Sequence, residues 1–538
     1  MARAEQNLDP RCLRRRAKVL RGAALVDFDD LPVNPDYVEK IKPLVEKVRT
    51  ESRWLNAVSA AVLPRRVSEI ERLPFVRRLD SVLSFSRHEP VSPPEPDLPL
   101  NLADPVAGLY GRSFAQVNQI RAWPLHLLGY SGRNVVVGML DSGFRTSHEI
   151  FRQARLLAQR DFVNGDDDVS QDFADPNDYS DSHGTGTWSI LGGYKLGELI
   201  GPAFGADFIL AKTETDRFEQ PIEEDYWVAG IEWAESLGAE VVSSSLGYLD
   251  WYIFEDMDGQ TAVTTRAANR AASLGVVVVN AAGNERGTAW GHIIAPADGF
   301  EVIACGAVDK TGTIASFSSP GPTFDGRIKP EVCALGVGNW LAANEASGAD
   351  TYRNGSGTSF ATPLVAGVAA VLLEIHPEWT PTQVRSALLS TASRSGQPGN
   401  NYGWGIVNAA QAASVGWPAV EVGGYAVDDD GAGESAGNGN GRVEPGETIE
   451  IVVTLENRGS FPVSGLSGRL SATHPGLAFL ASEVVFPTVA VSASQRSAQP
   501  FVVKIPADFF GHHIVFELHV EGPSQFLLYD YLRVTISR

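Results

Sequence analysis

Five apolar runs of strand length recur along one stretch of this chain, at residues 134–140, 208–212, 241–244, 276–280 and 302–307, with helical stretches at 222–237 and 261–274 between several of them. A run apolar on both sides cannot leave one face in water. Alternation of such runs with helices therefore predicts a parallel sheet covered on each side. The expected fold over residues 107–415 is α/β, a parallel sheet with helices on both faces. A further helix is expected at 383–392, where Thr380, Pro381 and Gln383 supply a cap, a first-turn proline and a capping-box partner.

The flanks read differently. Residues 1–85 alternate short patterns, predicted as helix 37–47, strand 54–62, helix 65–73 and strand 76–82, which makes a small α+β lobe. Residues 86–106 hold six prolines and no apolar periodicity, the composition of an extended, protease-accessible linker. Residues 416–447 form an acidic Gly/Asn-rich linker. Beyond it, residues 448–538 alternate in short runs such as 448–455 and 501–505, which predicts an all-β sandwich.

Charge narrows the partners. The chain carries a formal net charge of −21, unsuited to neutralising phosphates, so nucleic acid is not expected as a partner. The excess is uneven: residues 1–89 hold 18 Lys and Arg against 13 Asp and Glu, while the remainder holds 26 against 52. A basic front piece on an acidic body fits intramolecular docking, or a basic lobe that touches nothing in particular. No stretch reaches the roughly 18 apolar residues of a membrane-spanning helix. The first residues lack the apolar segment of a signal peptide, so either the protein is cytosolic or an export signal preceded this sequence. Three cysteines leave room for one Cys305–Cys333 bridge and no disulfide framework.

Four short motifs carry chemistry. Asp141 follows an apolar strand directly, at the strand end where open parallel sheets place ligands, although an Asp there is commonplace. His183 stands in Asp-Ser-His-Gly-Thr-Gly-Thr, at the start of a helical run and among glycines that allow close approach. Ser359 stands in Gly-Ser-Gly-Thr-Ser-Phe-Ala-Thr-Pro at the opening of an apolar helix. There it is either a helix cap or a hydroxyl whose developing oxyanion is favoured by the helix N-terminus. Asn284, in Ala-Ala-Gly-Asn after a strand, is a turn residue or a neutral donor to an oxyanion.

In their order and flanks, Asp141, His183, Asn284 and Ser359 resemble the subtilisin-like serine proteases, the subtilases, over roughly residues 110–412. That resemblance implies an α/β fold with a doubly wound, mostly parallel sheet, and a serine endopeptidase working on extended polypeptides through an acyl-enzyme. Asp141, His183 and Ser359 would be its catalytic groups and Asn284 its oxyanion donor. It also implies that Ser245, Leu246 and Gly247 line one wall of the substrate channel and that Ala282 and Gly283 begin the other. One departure is visible: the family usually has a second histidine three residues after the catalytic one, and this chain has Gly186.

Residues 54–64 and 65–82 resemble the family's inhibitory propeptide, so the expected product is a self-processed, secreted, monomeric zymogen cut between residues 86 and 112. No cofactor is implied for the chemical step. Structural calcium is one reading of the crowded oxygen donors Asp428, Asp429, Asp430, Asn438, Asn440, Glu444 and Glu447, and a solvated tether is the other. Two alternatives keep the same motifs: a non-catalytic binding protein on this fold, and an intracellular subtilase.

Overall fold

The computed structural model describes residues 5–20, 24–80, 82, 105–170, 181–215, 222–344, 350–415, 420–457, 462–472, 474, 476–522 and 527–537. Its centre is a seven-stranded sheet in which every neighbouring pair runs parallel. In chain order, after an N-terminal hairpin of β1 (Lys47–Ser52) and β2 (Ala57–Ala61), the strands are β3 (Val136–Asp141), β4 (Arg155–Asp161), β5 (Asp207–Lys212), β6 (Val241–Ser244), β7 (Val277–Ala281), β8 (Ile303–Val308) and β9 (Val332–Leu335). Their spatial order is β9-β8-β7-β6-β3-β5-β4. The winding reverses between β3 and β6, which opens a crevice outside the carboxyl ends of those two strands.

All residues of β3, β5, β6, β7, β8 and β9 are buried, as their two-sided apolarity requires. One face packs on α4 (Asp181–Gly192) and α7 (Thr358–Ile375), the other on α5 (Ile222–Ser236) and α6 (Val263–Ser273). Among the described helices α7 alone has the length and apolarity to cross a bilayer, and it is instead 83% buried inside the protein as a core helix. The capped helix expected late in the chain is α8 (Pro381–Thr391), with Thr380 and Gln383 capping each other's backbone N–H groups.

The N-terminal lobe departs from its sequence reading. A helix the sequence did not announce, α1 (Pro10–Val19), precedes α2 (Pro35–Ile41). The expected helix 37–47 stops early because Pro43 cannot continue it, and Lys47 already begins β1. Strand 54–62 is cut to Ala57–Ala61, because residues 53–56 make the hairpin turn. Helix 65–73 shrinks to α3 (Val67–Glu71) behind a 3-10 turn, Pro64–Arg66. The expected strand 76–82 is absent from residues 76–80 and 82, where Arg78 pairs with Asp80 at 2.7 Å and consecutive charges leave no apolar face.

Most of the proline-rich stretch 86–106 lies outside the described residues. Pro105 opens a short helix, Pro105–Tyr110, so residues 105–110 are helical rather than linker. At the other end, Val420–Asp428 is a strand paired antiparallel with Thr448–Asn457, so the segment expected as linker already contributes to a sheet. Two antiparallel sheets follow. Val420–Asp428, Thr448–Asn457, Phe501–Lys504 and Ala478–Ala481 form one, with Ser494–Arg496 beside Thr448–Asn457; Glu483–Phe486, Leu466–Ser471, His513–Glu521 and Leu527–Thr535 form the other. Ile451, Val453, Leu455 and Phe501 meet Leu470, Phe516 and Leu518 in the core between them.

Cys305 and Cys333 are free. They are on neighbouring strands but one residue out of register: Cys305 pairs with Val332, and Gly306 with Cys333. Alternation sends their side chains to opposite faces of the sheet, so the bridge the sequence allowed does not form.

Candidate active site

Asp141 is the last residue of β3 and 1% exposed. His183 lies in the first turn of α4, and its Nδ1 is 2.7 Å from Asp141 Oδ1. A carboxylate there holds the proton on Nδ1 and leaves Nε2 as the basic nitrogen. The Ser142 N–H also reaches Asp141 Oδ1 (2.9 Å), and the Thr187 hydroxyl lies 2.9 Å from Oδ2. Thr187 stands one helical turn after His183, so both side chains share the face of α4 turned to β3. That close approach depends on Gly184, where a Cβ would collide with the Gly143 carbonyl and stand 3.0 Å from Asp141 Cβ.

Ser359 is the second residue of α7. Its hydroxyl donates to the Ser245 carbonyl at 3.1 Å, and the Ser245 hydroxyl donates to the Ser359 carbonyl at 2.7 Å. This reciprocal pair ties the start of α7 to the segment leaving β6. The next residue, Phe360, sets its ring 5.6 Å from the His183 imidazole. The sheet crevice thus gathers residues 141, 183, 245 and 359 from β3, α4, the β6 end and α7.

Asn284 approaches from beyond β7. Its Oδ1 accepts the Thr358 N–H (3.0 Å) and the Thr358 hydroxyl (3.1 Å), which fixes the carboxamide orientation. Its Nδ2 lies 3.8 Å from where a side chain on Gly357 would begin, beside the turn that carries Ser359. Thr358 Oγ1 is also 3.3 Å from the Gly283 N–H.

The two expected walls both flank this turn. Leu246 is held by Asn280, whose Nδ2 donates to its carbonyl at 2.9 Å. Ala282 is fully buried, and Gly283 takes a left-handed φ of 105°. Ile294 lies between the walls: a Cβ on Gly283 would stand 3.1 Å from its Cδ1, and one on Gly247 would overlap it.

Thr187, Thr358 and Ile294 went unread in the sequence. A signal for the first existed, since its spacing of four from His183 fits one helix face. Thr358 and Ile294 are defined only by what lies across the fold. The departure at Gly186 has a packing reason, because a Cβ there would stand 3.1 Å from Leu341 Cδ1 and 3.6 Å from Phe360 Cε1.

The acidic donors are arranged otherwise than a carboxylate cage. Among the described residues no three His, Cys, Asp or Glu side chains form a group able to hold a metal ion. Asp428 and Asp430 accept backbone N–H groups of the loop, as do Asn438 and Asn440, while Glu444 takes the Asn438 amide. Glu447 accepts N–H groups from Asn438 (3.2 Å) and Glu444 (2.8 Å). Asp429 Oδ2 is buried without a hydrogen-bond partner.

Comparison with known proteins agrees with this arrangement. Residues 132–405 match the model of the subtilase family. The chain belongs to the subtilase family. Residues 1–94 match a peptidase S8 propeptide domain of Bacteroidota. Subtilisin amylosacchariticus of Bacillus subtilis subsp. amylosacchariticus and subtilisin E of Bacillus subtilis (strain 168) are each 32% identical over 375 residues, covering 68% of this chain and 83% of theirs. A subtilisin of Bacillus pumilus is 36% identical over 304 residues, 55% of this chain and 97% of its own. This subtilase is a serine endopeptidase made with a propeptide, which agrees with a zymogen whose front segment is its intramolecular inhibitor and whose substrates are peptides.

Proposed function

We propose that Ser359 attacks the peptide carbonyl, that His183 takes its proton and returns it to the leaving amine, and that Asp141 holds the imidazole tautomer and stabilises the imidazolium. Asn284 Nδ2 and the Ser359 N–H hold the oxyanion. The substrate lies extended against Ser245, Leu246 and Gly247, adding a strand by main-chain hydrogen bonds, with Ala282 and Gly283 opposite. The observation that carries this reading is the 2.7 Å contact between His183 Nδ1 and Asp141 Oδ1, made in the same crevice that receives the N-terminus of α7.

A fluorophosphonate probe tests it. Labelling should fall on Ser359 and vanish in Ser359→Ala and His183→Ala; labelling that survives the histidine change would remove the base assignment, and an inert Ser359 would favour the non-catalytic alternative. The chemical step needs no cofactor. The reading includes a monomer acting outside the cytoplasm on proteins or peptides, without nucleic acid, after cutting between residues 86 and 112. A calcium ion in the 428–447 loop rests on the unpartnered buried Asp429 Oδ2. Calorimetric titration of the protein with calcium tests it, and no heat beyond dilution removes it.

A further inference from the structure

The segments that carry the two channel walls run on past the channel and meet behind it. Just after Gly247, the Tyr248 N–H donates to the Ala295 carbonyl (2.8 Å), and the Ala295 N–H donates to the Tyr248 carbonyl (3.1 Å). One residue earlier, the Ile294 N–H donates to the carbonyl of Ala282, in the opposite wall (3.3 Å). Residues 294 and 295 therefore bridge the walls. Whatever holds the chain just beyond them holds the spacing between the walls.

One side chain takes that hold. Arg327 Nη1 donates to the Asp298 carbonyl at 2.5 Å. The fully buried Asp298 carboxylate accepts the Gly259 N–H (2.8 Å) and the Thr265 hydroxyl, so the segment trailing the first wall is tied to the same residue. The Phe324 N–H donates to the Met257 carbonyl (2.9 Å), a second tie between that segment and the loop of Arg327. The loop is closed on itself. The Arg327 N–H donates to the Thr323 hydroxyl (2.8 Å), and its Nε donates to both Asp325 oxygens (3.0 and 2.9 Å). Two residues on, Lys329 Nζ donates to the Gly299 and Val302 carbonyls at 2.8 Å each.

The C-terminal sandwich closes over this cation. Arg327 is 1% exposed, and its guanidinium lies 4.3 Å from the Phe300 ring and 5.8 Å from the ring of Tyr531, on the strand Leu527–Thr535. A cation against aromatic faces is held more strongly where water is excluded. The Tyr531 hydroxyl in turn accepts Arg385 Nη2 at 3.1 Å. The sandwich also meets the first trailing segment directly, with Gln260 Nε2 and His513 Nε2 2.8 Å apart. Asp141, His183 and Ser359 are carried by β3, α4 and α7, which these contacts do not reach.

We propose that Arg327 is a positioning residue for the substrate channel, locked by Tyr531, so that the C-terminal sandwich sets how firmly the walls grip an extended polypeptide. The proposal rests on the channel reading above. Arginine's planar fork serves a carbonyl, a carboxylate and two ring faces at once, where lysine offers one point charge. A substrate strand keeps its main-chain bonds to a wall only while donor and acceptor stay within the narrow range of a hydrogen bond.

The test uses the full chain after self-processing and the variants Arg327→Lys, Tyr531→Ala and Tyr531→Phe. Two substrates are compared, a chromogenic peptide with four residues before the cut bond and an ester of one residue. Arg327→Lys and Tyr531→Ala should raise KM on the peptide about tenfold, the scale of one or two main-chain hydrogen bonds. Their kcat, their KM on the ester and their rate of fluorophosphonate labelling should stay at wild-type values. Tyr531→Phe keeps the ring against the guanidinium and should keep the wild-type KM. An unchanged peptide KM in both damaging variants, or an equal loss on ester and peptide, would overturn the proposal. A wild type inert to the fluorophosphonate would sink the protease reading and the proposal with it, whereas a labelled enzyme with unchanged KM sinks the proposal alone.

If neither damaging variant folds, amide exchange on the wild type decides. A four-residue peptide aldehyde bound at Ser359 should slow exchange of the Gly259 and Phe324 amides behind the walls, and a one-residue aldehyde should not. Equal protection by both aldehydes, or none by either, would overturn the proposal.

Discussion

Asp141 accepts hydrogen bonds from Ser142, His183 and Thr187, and the last of these makes Thr187 a positioning residue. Replacing it by Val removes a hydrogen bond to a charged group, worth about 1.5–3 kcal/mol. We expect Thr187→Val to lower kcat about tenfold or more with KM unchanged, and to shift the acid limb of the pH–rate profile; a KM effect alone would contradict this. Asn284→Ala should cost roughly 10²–10³ in kcat, a magnitude taken from a known subtilisin asparagine rather than derived from this chain. Steady-state kinetics on a peptide ester or amide checks both.

Glu235 of α5, paired with Arg15 and Arg16 of α1, gives a pH window. Burial raises its carboxyl, but Arg15 and Arg16 outweigh burial and bring it to about 2. A depressed carboxylate stabilises above its unfolded value, near 4.3, and that stabilisation is lost as pH falls toward the folded one. α1 should thus stay docked at pH 5 and detach between about pH 4 and 2, followed by the fluorescence of Trp54, buried in the same lobe. Detachment at pH 6 would rule out the ion pairs as the cause. At this scale the four motif residues were legible because their glycine-rich flanks restrict what can surround them. Thr358 and Ile294 were not, since no local pattern states which residue lies opposite across a crevice.

Among the elements, legibility followed burial. The five apolar runs became β3, β5, β6, β7 and β8 with ends shifted by a residue or two, because strands buried on both faces admit few other conformations. β1 escaped notice because Lys47–Ser52 is charged and half exposed, and Pro43 ended a helix whose periodicity ran on. The contact between α4 and the Asn339–Asn344 strand supplies a test. Gly186→His would restore the family's usual residue into space already filled by Leu341 and Phe360. Overpacking of this kind costs about 1–3 kcal/mol, so a lowered melting temperature with an intact fluorophosphonate reaction is expected, and an unchanged melting temperature would contradict the packing account.

For the whole molecule, the C-terminal sandwich is joined to the catalytic domain through buried charge. Arg385 on α8 donates to Glu331 (3.0 Å) and to the Tyr531 hydroxyl (3.1 Å), and Lys329 pairs with Glu331 at 2.8 Å. Arg327 lies over Phe300 and Tyr531, and the Thr380 hydroxyl donates to Glu421. Burial, then the neighbouring Glu301, raises the Asp530 carboxyl well above the ordinary range. A raised carboxyl stabilises while protonated and loses that contribution as pH climbs out of the carboxylate range toward its folded value. The melting temperature should therefore fall toward alkaline pH, and Asp530→Asn should flatten the fall; an equal slope in the variant would acquit Asp530. The sequence foretold a sandwich from its alternation but not this seam, since its charged members lie far apart along the chain and look like ordinary surface residues until folded.

The seam has a consequence for how such an enzyme ages in a concentrated solution. A protein-cutting catalyst is surrounded by copies of itself, and a loosely tethered tail would be the first thing those copies trim. Because Arg385 donates both to Glu331 of the body and to Tyr531 of the tail, the tail is pinned to the catalytic domain and should outlast the front lobe under attack by neighbouring copies.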